Sequence, residues 1–299
     1  MLLNNHFEWG SRCYLMGILN VTPDSFSGDG VLGQRDPISF AVDQACTFFD
    51  CGADMIDIGG ESTRPGATPV GISEEIDRVV PVIEAVTSAL PDCVISIDTS
   101  KAEVATAAIV AGAVIINDIW ALNHDENIAG VAADAKTPVI LMHNASCASK
   151  FERLKKGGAQ YTPRSYEHLL DEVCSELLQS AHRAEACGIP SDQIILDPGV
   201  GFGKSPLQNL SLINHLDRIR ALGYPVLVGP SRKSFISSVL GVEAECRQEG
   251  TAAAIAAAVI RGADIVRVHD VTAMKRIVDM CNAIIRSSED GSMISQKMV

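Results

Sequence analysis

Three segments of this chain share one layout: Gly52-Ala53-Asp54-Met55-Ile56-Asp57, Gly112-Ala113-Val114-Ile115-Ile116-Asn117 and Gly262-Ala263-Asp264-Ile265-Val266-Arg267. Each opens with a glycine after a helical pattern, as suits the left-handed residue that ends a helix. Each then runs into a short apolar strand with a polar residue at its tip. The repeated unit is a helix followed by a strand. Helices recurring between strands imply a parallel sheet.

Eight strands fit this pattern: Tyr14–Leu19, Met55–Ile58, Val94–Ile97, Val114–Ile116, Val139–Met142, Ile194–Leu196, Val226–Val228 and Ile265–Val268. Helical periodicity fills most of the gaps. Asp36-Pro37 is an N-cap and first-turn pair for a helix carrying Phe40, Ala41, Ala45, Phe48 and Phe49. Ser73 with Glu74 and Glu75 starts the next, with a kink expected at Pro81. Tyr166 to Cys187 reads as a long amphipathic helix closed by Gly188 and Pro190, and Thr272 to Ile285 as the last one. Eight such units in 299 residues predict a single-domain α/β fold, a (β/α)8 TIM barrel. The barrel is expected over residues 1–286, with a short N-terminal extension, and the polar tail 287–299 is expected to be unstructured.

Composition narrows the partners. With a net charge of -13 and no basic stripe, nucleic acid is not expected as a partner. The longest apolar run, Ala252 to Ile260, is too short to span a bilayer, so no membrane partner is expected either. Nine cysteines without CxxC or zinc-type spacing read as reduced thiols, which predicts a cytoplasmic protein. The first ten residues have no signal-peptide core.

Polar groups cluster where the strands end, the side of such a barrel that carries active sites. Asp98, Asn117 and Asp197 stand at three strand tips. Asp197 opens Asp197-Pro198-Gly199-Val200-Gly201-Phe202-Gly203-Lys204, a loop able to bring backbone close to a flat ligand. It is not a phosphate-binding P-loop, whose first glycine would fall on Pro198. Gly59 to Gly66 alone reads as a turn, but Arg64 between Thr63 and Pro65 suits an anion contact. The pair Arg232-Lys233 in Ser231-Arg232-Lys233-Ser234 reads either as a solvated face or as a ligand contact, and its place after a buried strand favours the ligand. Arg267 and His269 alternate and so face one way, able to hold a phosphate beside a helix N-terminus. A structural Arg–Asp pair, with Asp270 as a partner, is the alternative. His143 reads as a barrel-rim histidine. After the first strand there is no HxH metal pair, and Asn20 can offer an amide oxygen to a hard cation such as Mg²⁺.

The motifs MGILNVTPDSFS (16–27), GGESTRPGA (59–67), SIDTSK (96–101), IINDIW (115–120), DPGVGFGK (197–204), SRKS (231–234) and RVHDV (267–271) together resemble the dihydropteroate synthase family, in its order, from about Met16 to Ile285. The resemblance implies condensation of 6-hydroxymethyl-7,8-dihydropterin pyrophosphate with p-aminobenzoate. The products are 7,8-dihydropteroate and pyrophosphate, in folate biosynthesis. It places the pterin's donor edge on Asp197, with Asp98 and Asn117 on the remaining ring edge and Lys233 on the carbonyl side. It places the pyrophosphate on Asn20, Thr63, Arg267 and His269, with Mg²⁺ carried by Asn20. It places p-aminobenzoate against Arg64, Pro65, Phe202, Ser231 and Lys233, with residues 20–30 closing over it. Asp98, Arg64 and Lys233 take the catalytic roles. A homodimer and competitive inhibition by sulfonamides are implied as well.

At one place the chain departs from the family pattern. After the fifth strand it reads His143-Asn144-Ala145-Ser146, where many members carry a methionine and glutamine after the histidine, and 144–165 is atypical. Two other readings share the expected fold. A corrinoid-dependent methyltransferase barrel keeps the pterin pocket but needs neither Arg64, Lys233 nor a phosphate clamp. A silent pterin-binding protein binds without turnover.

Overall fold

Parity along the strands decides what this molecule buries. The computed structural model describes residues 7–22, 36–63, 67–146, 151–153 and 159–287. The barrel strands are β1 (Tyr14–Asn20), β2 (Met55–Gly59), β3 (Val94–Asp98), β4 (Ile115–Asp118), β5 (Val139–Met142), β8 (Ile194–Asp197), β9 (Leu227–Val228) and β10 (Ile265–Val268). A small antiparallel pair, β6 (Phe151–Arg153) and β7 (Ala159–Tyr161), lies after β5. All eight barrel strands pair in parallel in the order β8-β5-β4-β3-β2-β1-β10-β9, and a bridge between Leu196 and Val226 joins the two ends. The expected (β/α)8 barrel is therefore what the chain forms.

Alternate residues point inward. Tyr14, Met16, Met55, Val94, Ile115, Ile140, Ile195, Leu227 and Ile265 form one buried cluster with Phe7, which fills the N-terminal half of the barrel. Phe7 stacks on Trp9 at 5.3 Å and meets Tyr14 edge-on at 4.8 Å, plugging that end. The intervening residues, among them Leu15, Ile56, Ile95, Ile116 and Leu196, pack outward against the helices. Two positions further along, the inward row turns polar. Asp57 follows Met55, Asp98 follows Ser96, Asn117 follows Ile115, Asp197 follows Ile195 and Arg267 follows Ile265.

The helices are α1 (Pro37–Asp50), α2 (Ile72–Ala89), α3 (Ala102–Ala111), α4 (Ile128–Ala135), α5 (Leu169–Ala186), α6 (Pro206–Asn214), α7 (Leu216–Arg220), α8 (Ser234–Leu240), α9 (Gln248–Ile260) and α10 (Val271–Ile285). The Asp36 carboxylate caps α1 by accepting from Ser39 N at 3.1 Å, as its sequence predicts. Helix α2 runs as one element through Pro81. The long helix begins at Leu169, three residues later than its periodicity suggests. Gly52, Gly112 and Gly262 all have positive φ, which accounts for the repeated glycine. Among the described residues no helix is long and apolar enough to cross a membrane. The expected disorder of the tail falls on residues 288–299, outside the described residues.

Candidate active site

The C-terminal mouth gathers acids and bases that a barrel interior can hold only in pairs. Arg267 reaches across it. Its Nε donates to Asp57 Oδ2 at 2.6 Å and its Nη2 to Asp98 Oδ2 at 2.7 Å. Asp57 is fully buried, and the same Oδ2 accepts from Asn117 Nδ2 at 2.9 Å. Asp270 is not the partner of Arg267. Its Oδ1 caps α10 by accepting from Ala273 N at 3.1 Å, and its Oδ2 accepts from Gln248 Nε2. Arg267 and His269 thus stand just before a helix N-terminus, where backbone N–H groups favour an anion.

Burial raises the Asp98 carboxyl to about 7, with Asp57, Glu75 and Asp118 adding to the rise and Arg267 opposing it. Asp197 is buried opposite, and Gly199 N donates to its Oδ1 at 2.7 Å. Burial lifts Asp197 to about 6 against that hydrogen bond and the pull of Lys233, Lys204 and Arg267. Both groups therefore hold protons more tightly than ordinary carboxyls, so each gains much from a ligand that donates to it.

A second cluster adjoins the first. The Lys233 ammonium lies over the buried Phe202 ring, 4.1 Å from its centre. Ser231 is buried, and its Oγ accepts from His269 N at 3.2 Å and lies 3.0 Å from His269 Nδ1. The loop that carries Phe202 is held closely. A Cβ on Gly199 would fall 2.0 Å from the His143 carbonyl oxygen, and Gly199 has φ +66°. Asn20 is half-buried at the end of β1, paired in register with Gly59 of β2. Thr63 is half-buried beyond β2, whereas Arg64 and Pro65 lie outside the described residues.

The structure thus brings Asp98, Asn117, Asp197 and Arg267 into one ring of strand ends, with Phe202, Ser231, Lys233 and His269 beside it. It also shows three residues that the sequence reading passed over. Asp57 sits inside its strand, where its only sequence signal is a place in the repeated unit. Lys204 is buried, and its Nζ donates to the carbonyls of His143, Gly199 and Phe202 at 3.0–3.1 Å. Lys101 Nζ binds Glu61 at 2.5 Å, the Val70 carbonyl at 2.8 Å and the buried Glu75, tying both ends of the loop between β2 and α2. His143 behaves as a rim residue: its Nε2 meets Glu176 at 3.1 Å, and burial pulls it down to about 4, so it is neutral.

Residues 16–269 match the family described as pterin binding enzyme. A dihydropteroate synthase of Bacillus subtilis (strain 168) is 46% identical over 278 residues, which cover 93% of this chain and 90% of that one. A solved dihydropteroate synthase from Clostridium difficile, obtained in the presence of pteroic acid, aligns with a TM-score of 0.84 and 42% identity over 94% of this chain and 99% of that one. One from Xanthomonas albilineans with 4-aminobenzoic acid aligns at 0.82 and 40% identity, over 92% and 93%. The polar ring at the mouth, the loops around it and these matches along nearly the whole chain agree: it belongs to the dihydropteroate synthase family of pterin-binding enzymes.

Proposed function

We propose that this chain condenses 6-hydroxymethyl-7,8-dihydropterin pyrophosphate with p-aminobenzoate, giving 7,8-dihydropteroate and pyrophosphate. The observation that carries the reading is the inward ring of Asp98, Asn117, Asp197 and Arg267, set beside Phe202 and Lys233.

The Asp197 carboxylate accepts from the pterin's 2-amino and N3–H donors, a charge-assisted pair. Asn117 and Asp98 take the remaining ring edge, and Lys233 the carbonyl side. Asn20, Thr63, Arg267 and His269 hold the pyrophosphate, aided by the N-terminus of α10, and the Arg267 guanidinium offsets part of its charge. The methylene C–O bond then breaks and its electron pair leaves with pyrophosphate. The electron-rich ring carries the developing positive charge, which the Asp98 carboxylate stabilises. The p-aminobenzoate amine attacks the methylene carbon, forms the C–N bond and passes its proton to the departing pyrophosphate. That amine is a weak nucleophile, so its placement by Ser231, Lys233, Phe202, Arg64 and Pro65 matters more than a strong base.

The residues fit a Mg²⁺ ion that arrives with the pyrophosphate rather than one held by the protein alone. Among the described residues no group of three His, Cys, Asp or Glu could hold a metal. Asn20 supplies one neutral oxygen at the mouth, which suits an ion whose other ligands are phosphate oxygens and water. The ion would add charge neutralisation on the leaving group.

The proposal extends to a homodimer and a cytoplasmic setting. Leu210, Val239 and Leu240 are exposed beside one groove on α6, α8 and α9, which supports pairing with a second copy. The eight cysteines among the described residues are all free, which supports a reducing compartment. The barrel is proposed to be one domain over residues 1–286. The test is pyrophosphate release that depends on p-aminobenzoate. Its absence in folded protein with both substrates present overturns the reading.

A further inference from the structure

Asp57 is a fully buried carboxylate in the inward row of β2, and nothing in the reaction above uses it. It bonds through one oxygen only. Oδ2 accepts from Arg267 Nε at 2.6 Å and from Asn117 Nδ2 at 2.9 Å, while Oδ1 has no partner among the described residues. One atom thus joins a residue of the ring-binding edge to a residue of the phosphate clamp. We infer that Asp57 is the positioning residue of the pterin pyrophosphate site, fixing which atom Asn117 presents and which edge Arg267 offers. The inference rests on the functional reading above and deepens it.

Two consequences follow from hydrogen-bond chemistry. An asparagine amide has a donor end and an acceptor end. With Nδ2 committed to Asp57, the Asn117 oxygen is the atom left for ligand, and it accepts from a ring N–H. Without Asp57 the amide is free to turn over and offer a donor to a donor. A guanidinium in turn carries five N–H groups in a planar fork. Asp57 takes the Nε side, and Asp98 takes one hydrogen of Nη2. When the ring occupies Asp98, Asp57 is the counter-charge that stays with Arg267, because no ligand can reach a fully enclosed carboxylate. The remaining N–H groups then point along one direction, toward the phosphate.

A merely structural ion pair predicts a loss of stability and nothing more. A positioning role predicts changes that depend on which property of Asp57 is removed. Asp57→Asn keeps an acceptor oxygen for both donors but loses the charge. Asp57→Ala loses both. Asp98 is faced by Arg267, Asp57, Glu75 and Asp118. Removing the like charge at 57 leaves Arg267 more fully to Asp98, so Asp98 gives up its proton at lower pH.

The experiment measures kcat/KM for pterin pyrophosphate against pH in the wild-type protein and in Asp57→Asn. It also measures calorimetric binding of a pterin analogue without phosphate to both variants. Asp57→Asn is expected to move the acid limb to lower pH and to leave analogue affinity within about threefold, because the amide stays oriented. Asp57→Ala is expected to weaken the analogue about tenfold, as when one partner of a buried hydrogen bond is lost. Folded variants with wild-type limbs and wild-type affinities overturn the inference. If Asp57→Ala does not fold, the limb of Asp57→Asn decides, and an unmoved limb overturns it. If the wild-type protein releases no pyrophosphate, the functional reading is what has failed, and the calorimetric comparison still decides the role of Asp57.

Discussion

The Lys233 ammonium lies 4.1 Å from the centre of the Phe202 ring, joining the loop after β9 to the glycine-rich loop after β8. Its charge also pulls on Asp197. One side chain therefore touches the proposed p-aminobenzoate wall and acts on the pterin carboxylate. Lys233→Ala should lower kcat/KM for both substrates, on the order of 10²-fold each for a lost charged contact. Arg64→Ala should lower it for p-aminobenzoate alone, by a similar factor. Steady-state kinetics with each substrate varied in turn separates the two patterns. Collapse of pterin affinity in Arg64→Ala would assign that residue to the phosphate site instead.

Asp197→Asn keeps the side chain's shape but turns one acceptor into a donor facing donors. A lost charge-assisted pair and an unmatched buried group should cost about 2–4 kcal/mol in binding. Calorimetry with a pterin analogue measures this directly, and unchanged affinity removes Asp197 from the pocket.

Acid should switch the site off near neutrality. In the proposed reaction Asp98 and Asp197 act as acceptors, so their ionised forms would be the working ones. Burial raises them to about 7 and about 6, above the ordinary 3.8. A raised carboxyl pKa moves proton uptake toward neutral pH, so activity is full above the higher value and falls as pH drops through it. In the free enzyme kcat/KM for pterin pyrophosphate should fall about tenfold per pH unit below the first value, and more steeply below the second. A limb confined to pH 4 would contradict this.

Lys204 holds three carbonyls from the end of β5 and from the loop that carries Phe202. Lys204→Met fills similar volume but removes the donor from three buried carbonyls, of which that of Gly199 keeps Phe202 N at 3.1 Å. The loss of stability should be about 3 kcal/mol, measured by urea unfolding. The loosened loop should also raise KM for p-aminobenzoate more than KM for the pterin substrate. Equal effects on both substrates would show that the loop serves the two pockets alike.

The residues legible in the sequence were those whose position along a strand announces them. Asp98, Asn117 and Asp197 each follow an apolar run, so their place at a barrel mouth can be read from period and repeat. The repeat also foretold the glycines of positive φ. Asp57 stayed hidden because a carboxylate within a strand resembles an outward polar position until parity assigns it to the interior. Lys204 stayed hidden because a lysine after glycines reads as solvent-exposed. Its three partners come from two segments about 60 residues apart, and no local pattern brings them together. The partners of Arg267 likewise lie on β2 and β3, which the pairing of the first strand β1 with the last strand β10 brings within reach.

The ring of strands has one thin link. β9 is two residues long, and among the described residues its link to β8 is a single bridge, Leu196–Val226, which includes the Leu196 N to Pro225 O bond at 2.9 Å. Asp197 stands on one bank of that seam, and Ser231 and Lys233 on the other. On the proposed binding mode, a pterin held by Asp197 and Lys233 would span that seam. Amide hydrogens of 194–197 and 226–228 should exchange with solvent fastest of all the barrel strands in the empty protein, and slow most when the pterin binds. On that binding mode, substrate recognition would also hold the cylinder closed.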